Sequence, residues 1–161
     1  MNKHSKSISR AVFTMLTVLL VAFIYGNSSA DGDTSSGLSQ MVTQWLNAAL
    51  QWLHIPLELS NLFVRKLAHF AAYSLLGGLL TATAASWHVK PWRFTLVFIP
   101  VIIGVCISSM DEYLQTFIPG RYGCVSDVLL DMSGVVWAAA AVSLLLARRA
   151  RCKAESVTPE E

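Results

Sequence analysis

Apolar residues are concentrated in four long runs that are separated by shorter polar segments. The runs cover residues 11–26, 67–87, 94–110 and 128–147. A helix that crosses the hydrocarbon core of a bilayer needs about 20 apolar residues, within a range of about 17–25. The second and fourth runs reach this length, the third lies near its lower limit, and the first needs its flanking residues. Because backbone amides find no water inside a bilayer, the pattern predicts an all-α, four-helix transmembrane bundle.

A fifth segment, between the first two runs, has the periodicity of an amphipathic helix. Its apolar residues lie at positions 38, 41, 42, 45, 46, 49, 50 and 53, which is the spacing of one helical face. Ser39 is a candidate cap for its start, and Pro56 marks its end. The pattern fits either an extracytoplasmic helix lying in the membrane interface or a fifth element packed on the bundle. The preceding residues, 27–37, are rich in Ser, Gly and Asp and predict an exposed loop.

The distribution of basic residues predicts how the helices are oriented. Cytoplasmic segments of membrane proteins carry an excess of Lys and Arg. With the N-terminus inside, nine basic residues lie on the cytoplasmic side, including Lys90 and Arg93, and three lie outside. The first run, with its basic start, also fits a cleavable signal peptide that ends at Ala30, and this alternative leaves the orientation unchanged.

The predicted organisation is that of a multi-pass protein of the cell (inner or plasma) membrane with both termini in the cytoplasm. Residues 1–10 form the cytoplasmic N-terminus, and residues 11–147 form the transmembrane domain. Residues 148–161 form a cytoplasmic tail that is first basic and then disordered.

Composition supports membrane residence and excludes several other classes of protein. Charged residues make up 14% of the 161 positions and apolar residues 54%, and the mean hydropathy is +0.52. A soluble domain carries about 25% charged residues. These values exclude a disordered chain, a collagen and a disulfide-stapled scaffold. A net charge of +2 gives no support for a nucleic-acid partner, and the absence of metal-binding and nucleotide-binding motifs predicts no metal and no cofactor.

Polar residues that flank or interrupt the apolar runs are predicted to meet at the outer membrane face. They belong to the start of the second spanning helix, the end of the third, the connection after it and the start of the fourth. Ionisable residues at membrane depth are costly, so they are candidates for function. The ten candidates are Arg65, Lys66, His69, Tyr73, Asp111, Glu112, Gln115, Arg121, Asp127 and Asp131.

Several of these residues also have a purely structural interpretation. His69 can donate a hydrogen bond to Asp111 or Asp127 across the bundle. Asp127 can cap the start of the fourth helix, where Asp is favoured and suits the positive end of the helix dipole. Arg121 can be a solvated loop residue, or it can pair with nearby acids or an anionic headgroup.

Three ordered motifs resemble signatures of the VanZ-like membrane proteins, the teicoplanin-resistance protein family. They are residues 64–73 (VRKLAHFAAY), residues 111–121 (DEYLQTFIPGR) and residues 126–131 (SDVLLD). The resemblance extends over about residues 10–147. It implies a multi-pass bacterial membrane protein of the cell envelope with a possible link to glycopeptide resistance. In that family the position of Asp131 often carries Asn, which argues against a proton-carrying role there.

Three kinds of function agree with this pattern. The favoured one is a non-enzymatic membrane protein whose outer polar cluster binds an envelope lipid or glycan precursor. The second is an enzyme that acts on a lipid-linked phosphate or sugar, with Lys66 and Arg121 holding phosphate and His69 or Glu112 transferring protons. The third is a small transporter that uses the acids as an ion path, which is disfavoured because the cluster lies near one face.

Overall fold

Five helices make up the part of the protein that the structure describes. The computed structural model describes residues 3–29, 32–87 and 95–155, and the regular secondary structure in these ranges is entirely helical. Helix α1 spans Lys3–Ser28, α2 Gly32–Trp52, α3 Asn61–Ser86, α4 Thr95–Gln115 and α5 Val125–Glu155. Helices α1, α3, α4 and α5 each contain a segment long and apolar enough to cross a membrane. The predicted all-α fold with four membrane-spanning helices is confirmed.

The helices extend beyond the apolar runs into the charged flanks. Helix α3 begins at Asn61, where the Ser60 side chain accepts a hydrogen bond of 3.2 Å from the Phe63 amide. Helix α4 continues past Met110 to Gln115. The polar flanks can remain helical because their side chains find hydrogen-bond partners on neighbouring helices. The candidate residues other than Arg121 are therefore held on helical backbone.

Some sequence predictions concern residues outside the described ranges. The predicted cytoplasmic loop with Lys90 and Arg93 is one of them, and the Ala30 cleavage position is another. The end of the C-terminal tail, residues 156–161, also lies outside. The described residues before it, through Glu155, continue α5.

Helix α3 occupies the centre of the bundle. It contacts α1, α2, α4 and α5. The buried apolar cluster lies along it and contains Ile24, Tyr73, Leu76, Leu80 and Val135. Because one helix contacts all the others, groups placed along α3 lie within reach of residues from every other helix.

Glycines bring α3 and α5 into close contact. A Cβ atom added at Gly77 would lie 2.5 Å from the Val135 carbonyl oxygen, and one added at Gly134 would lie 2.7 Å from the Phe70 carbonyl oxygen. Neither position has room for a side chain. Small residues that let helix backbones approach closely are the usual basis of helix packing in membranes, where no hydrophobic effect drives association.

The outward-facing surface between the ends of the bundle is apolar. Val18 is 61% exposed, Ile102 61% and Trp137 64%, and they belong to three different helices. A soluble protein rarely exposes contiguous apolar area of this extent. The surface therefore fits a protein that lies in hydrocarbon.

Helix α2 presents its apolar face outward and its polar edge to the bundle. Trp45 is 75% exposed, whereas Thr43 is buried and donates a hydrogen bond of 3.4 Å to the Asn61 side chain of α3. Asn47 exchanges two hydrogen bonds, of 3.0 and 2.8 Å, with the backbone of Leu59. The helix therefore packs on the bundle through its polar edge, and its outward apolar face also suits the membrane interface.

The start of α2 differs from the sequence expectation. The helix begins at Gly32, so residues 32–37 are helical rather than part of a loop, and Ser39 lies inside the helix instead of capping it. The Ser39 carbonyl accepts a hydrogen bond of 2.8 Å from the Thr43 hydroxyl. The Ser-, Gly- and Asp-rich composition suggested a loop, since these residues often compete with helical hydrogen bonds.

Candidate functional site

The candidate site lies at one end of the bundle, which we call the polar end. It is formed by the C-terminal ends of α1 and α4, the N-terminal ends of α3 and α5, and the connection between α4 and α5. A cavity of about 180 Å³, here called the polar cavity, opens at this end. Seven of the ten candidate residues line it, and these are Arg65, Lys66, His69, Glu112, Gln115, Arg121 and Asp127.

The other three candidates lie behind the cavity wall, inside the bundle. Tyr73, Asp111 and Asp131 are fully buried. Within the described part of the chain, the Tyr73 hydroxyl, Asp111 Oδ1 and Asp131 Oδ1 have no hydrogen-bond partner. Most buried polar atoms in proteins are bonded, so the interior of the polar end keeps unused hydrogen-bonding capacity.

Asp111 connects the end of α1 to α4. Its Oδ2 atom accepts a hydrogen bond of 2.9 Å from the Ser28 hydroxyl and a longer one, of 3.4 Å, from the Gln115 amide. Hydrogen bonds to a carboxylate are about twice as strong as those between neutral groups. Asp111 therefore fixes where α1 ends relative to α4.

Glu112 anchors the connection that leads into α5. Its Oε2 accepts a hydrogen bond of 2.8 Å from the Cys124 amide, and its Oε1 accepts one of 3.2 Å from the Gln115 side chain. Gly123 lies so close that an added Cβ would be 2.3 Å from the Glu112 carbonyl oxygen. Since both carboxylate oxygens already accept bonds from the chain itself, Glu112 is placed as a structural anchor.

His69 lies between the polar cavity and the buried carboxylate of Asp131. The His69 Nδ1 and Asp131 Oδ1 atoms are 3.6 Å apart, which is within ion-pair range but beyond a hydrogen bond. The other oxygen of Asp131 accepts a hydrogen bond of 2.8 Å from Ser108. A carboxylate at Nδ1 is the arrangement that orients an imidazole for binding or proton transfer at its second nitrogen.

Three basic side chains line the polar cavity in different settings. Lys66 forms an ion pair with Asp127, and both side chains are partly exposed. Arg121 is buried, and its Nη2 atom donates a hydrogen bond of 3.1 Å to the carbonyl of Asn27, near the C-terminal end of α1. Arg65 has no ion pair with a carboxylate in the described residues. Of the three basic groups, the Arg65 guanidinium therefore has the fewest bonds to the rest of the site.

The structure corrects three of the structural interpretations made from the sequence. His69 pairs with Asp131, and neither Asp111 nor Asp127 is its ion-pair partner. Asp127 lies in the first turn of α5, inside the helix that begins at Val125, so it does not occupy the capping position. Arg121 is 7% exposed and is not a solvated loop residue. Asp127 differs because α5 starts before the apolar run does. His69 and Arg121 differ because their surroundings depend on how the helices are rotated against one another, and spacing along one segment does not specify that rotation.

Cys124 stands at the rim of the polar end, just before α5. The thiol is exposed, and its Sγ lies 3.1 Å from the Ser126 hydroxyl oxygen. Hydrogen bonds from Ser126 lower the pKa of the Cys124 thiol below its usual range. Cys106 and Cys152 are also free and exposed.

Two contributors to the site were missed in the sequence. Ser28 and Ser108 are buried and bind the two buried carboxylates. Ser108 precedes Asp111 by three positions and so shares its helical face, which is a signal that spacing could have supplied. For Ser28 there is no comparable signal, because none of the candidate residues lies on α1.

No group of three or more His, Cys, Asp or Glu side chains in the described ranges is arranged to hold a metal ion. The site instead combines basic side chains on a cavity wall with an imidazole and buried carboxylates. Such a combination suits an anionic group that also accepts hydrogen bonds.

Comparison with known proteins gives one match. The family model described as VanZ/LLP1 matches residues 13–146, a range that includes all ten candidate residues. No curated protein and no solved structure is significantly similar to the chain.

Proposed function

The chain belongs to the VanZ/LLP1 family, and we propose that its polar end binds the phosphate group of an envelope lipid or lipid-linked glycan precursor. One observation carries the proposal: Arg65, Lys66 and Arg121 line a single cavity of about 180 Å³ at one end of a membrane bundle. Arginine presents several N–H groups in a planar fork that matches phosphate oxygens. A phosphate is therefore the ligand that these side chains suit best.

The pairing of charges around the cavity supports an anionic ligand. Of the two acids that line it, Asp127 is paired with Lys66 and Glu112 is bonded to the chain. The guanidinium of Arg65 then remains to attract an incoming anion. At the edge of a bilayer the effective dielectric constant is lower than in water, which strengthens such an attraction.

The proposal places the polar end on the outer face of the cell membrane. Two native cysteines test this orientation, since Cys124 lies at the polar end and Cys152 lies near the opposite end of α5. A membrane-impermeant maleimide added to intact cells should label Cys124 and leave Cys152 unlabelled until the cells are opened. Labelling of Cys152 alone would contradict the orientation.

Phosphate binding is tested by titrating the purified protein with dioleoyl phosphatidic acid and following complexes by native mass spectrometry. Dioleoylglycerol, which has the same chains and no phosphate, is the control lipid. The Arg65→Gln variant should lose about tenfold in affinity for phosphatidic acid, a typical effect for one charge-assisted contact. Arg148→Gln removes an exposed basic residue near the other end and should bind as the wild type does. Equal binding of both lipids would contradict the proposal.

A link to glycopeptide resistance, implied by the family resemblance, is part of the same proposal. If the polar end acts on envelope lipids or precursors, Arg65→Gln should change teicoplanin susceptibility in the same direction as deletion of the protein. Arg148→Gln should leave susceptibility unchanged. Susceptibility that follows deletion but not Arg65→Gln would separate the resistance role from the cavity.

An enzyme acting on a lipid-linked phosphate or sugar is the second candidate, and the His69–Asp131 pair favours it. The two atoms are 3.6 Å apart, and His69 faces the polar cavity. His69→Asn should abolish any turnover, while the protein still folds and still binds phosphatidic acid. Mass spectrometry of the lipid after incubation checks this, and a lipid that stays intact with the wild-type protein counts against the enzyme.

The transporter hypothesis receives less support. Away from the polar end, the buried polar groups among the described residues are hydroxyls, such as those of Thr17, Thr81 and Ser143, and none is ionisable. An ion path usually places ionisable groups along its length.

A further inference from the structure

Two further cavities continue from the polar cavity along α3. The interfacial cavity, of about 170 Å³, lies between α2, α3 and the end of α1, and Leu38 and Val42 form part of its wall. The lateral cavity, also of about 170 Å³, lies between α1 and α3. His69 lines all three cavities.

Shared wall residues place the three cavities next to one another, in a series along α3. Arg65 and Arg121 line both the polar and the interfacial cavity. Asn27 and Ala68 line both the interfacial and the lateral cavity. Each cavity alone is smaller than the roughly 300–1,000 Å³ that small-molecule sites usually occupy. A ligand of lipid size would therefore have to use them together.

The hydrogen-bond partners of α1 change along its length, beside the lateral cavity. In the half of the bundle away from the polar end, α1 is bonded to α3, since the Thr17 and Thr83 hydroxyls are 3.0 Å apart and Arg10 donates to the Ser86 carbonyl. Toward the polar end, α1 is bonded to α4 instead. There Tyr25 donates to the Ile107 carbonyl at 3.3 Å and Ser28 donates to Asp111. The hydrogen bonds of α1 thus change from α3 to α4 along its length, and the lateral cavity lies between α1 and α3 at the end where α1 is bonded to α4.

Apolar side chains form part of the wall of the lateral cavity, and one of them is exposed on the side of the bundle. Phe23, Ile24 and Ala72 contribute to its wall, and Phe23 is 66% exposed. Phe23 belongs to a membrane-spanning segment, so in a membrane this side of the cavity wall faces hydrocarbon. Along α3 the distance from Arg65 to Ala72 is about 10 Å, at 1.5 Å per residue. A charged headgroup and the first part of a hydrocarbon chain fit this separation.

We propose that a phosphate-bearing lipid occupies this series of cavities, with its phosphate at Arg65 and one hydrocarbon chain in the lateral cavity between α1 and α3. The lipid reaches the site sideways from the bilayer. This inference rests on the proposed function and adds where the hydrocarbon lies. It requires that the affinity for a lipid depends on the length of its hydrocarbon chains as well as on its phosphate group.

The first test fills the lateral cavity and compares two lipids with the same headgroup. Ala72→Trp should lower the affinity for dioleoyl phosphatidic acid at least about tenfold, because the chain loses its apolar contacts. Affinity for dihexanoyl phosphatidic acid, whose chains are too short to fill the cavity, should stay within about twofold. Ala71→Trp, on the exposed side of the same helix, is the matched control and should change neither affinity.

A second measurement needs no variant and decides the matter if Ala72→Trp does not fold. The wild-type protein is irradiated with phosphatidic acid that carries a photoreactive diazirine on its acyl chain. Crosslinks should fall on the segments around Phe23 and Ala72. Crosslinks confined to the outward faces of α4 and α5 would overturn the inference.

The outcomes also separate this inference from the proposed function. If Ala72→Trp binds dioleoyl phosphatidic acid as tightly as the wild type does, while Arg65→Gln still weakens binding, the hydrocarbon site is wrong and phosphate binding stands. If Arg65→Gln changes nothing, and phosphatidic acid binds no better than dioleoylglycerol, the proposed function fails and this inference fails with it.

Discussion

The middle of the bundle and the polar end are held together in different ways. In the middle, α3 and α5 meet at glycines whose missing side chains let backbone touch backbone, as at Gly77 against Val135. At the polar end, side chains from several helices are linked by hydrogen bonds and ion pairs, such as Ser28 to Asp111. The Gly77 contact has no room for an added Cβ atom. At the rim of the polar end, by contrast, the Lys66 side chain is partly exposed and can reach a ligand. The contrast separates the part that sets the fold from the part able to contact a ligand.

The largest expected effect comes from filling the contact in the middle. Gly77→Val would bring side-chain atoms into the Val135 backbone, where even a Cβ would be 2.5 Å from the carbonyl oxygen. We expect destabilisation of about 3 kcal/mol or more, or loss of the folded protein. Melting temperature and the monodisperse fraction in detergent measure it. Gly78→Ala, where the nearest atom to an added Cβ is 3.7 Å away, should be tolerated, and equal damage by both variants would refute the packing account.

A smaller effect is expected inside the polar end. Asp111→Ala leaves the buried Ser28 hydroxyl without its acceptor, whereas the Gln115 amide keeps its hydrogen bond to Glu112, and the loss should cost about 1–3 kcal/mol. Asp111→Asn keeps an acceptor oxygen and should cost less. Thermal unfolding of the two variants in the same detergent tests the difference. Equal losses of stability would show that the hydrogen bonds to Asp111 do not hold α1 in place.

At the rim, stability and binding should separate. Lys66→Gln breaks the ion pair with Asp127, both of whose side chains are partly exposed, so the free energy of unfolding should fall by less than about 1 kcal/mol. Phosphatidic acid affinity should fall several-fold at low salt, and the difference should shrink as salt screens the charge. A large loss of stability with unchanged affinity would assign Lys66 to the fold.

The smallest effect concerns the Cys124 thiol, which is outside the spanning helices. Because hydrogen bonds from Ser126 lower its pKa, more of the thiol is ionised near neutral pH than in an isolated cysteine. Ser126→Ala should raise the pKa and slow alkylation of Cys124 by iodoacetamide about two- to threefold near neutral pH. The difference should vanish at high pH, where the thiol is ionised in both proteins. A faster reaction in the variant would contradict the assignment.

Features that depend on one helix at a time could be predicted from the sequence. The length of each apolar run indicated a spanning helix because a bilayer imposes that length. Alternation of direction then placed Arg65, Glu112 and Asp127 at the same end. The structure has these residues on one cavity.

Features that depend on how one helix is rotated against another could not be predicted. The pairing of His69 with Asp131, and not with Asp111 or Asp127, follows from the close contact of α3 and α5 at Gly134. The lateral cavity likewise depends on the packing of α1, which is bonded to α4 at this end. Spacing within one helix gives neither rotation nor partner.

The central claim is that the polar end binds a phosphate-bearing lipid, and lipid mass spectrometry on protein purified from its own membrane tests it most directly. The account predicts that a phosphate-bearing lipid is enriched over the surrounding membrane in the wild-type protein. The enrichment should be lost in Arg65→Gln and kept in Arg148→Gln. A lipid profile that matches the bulk membrane in all three proteins would contradict the claim.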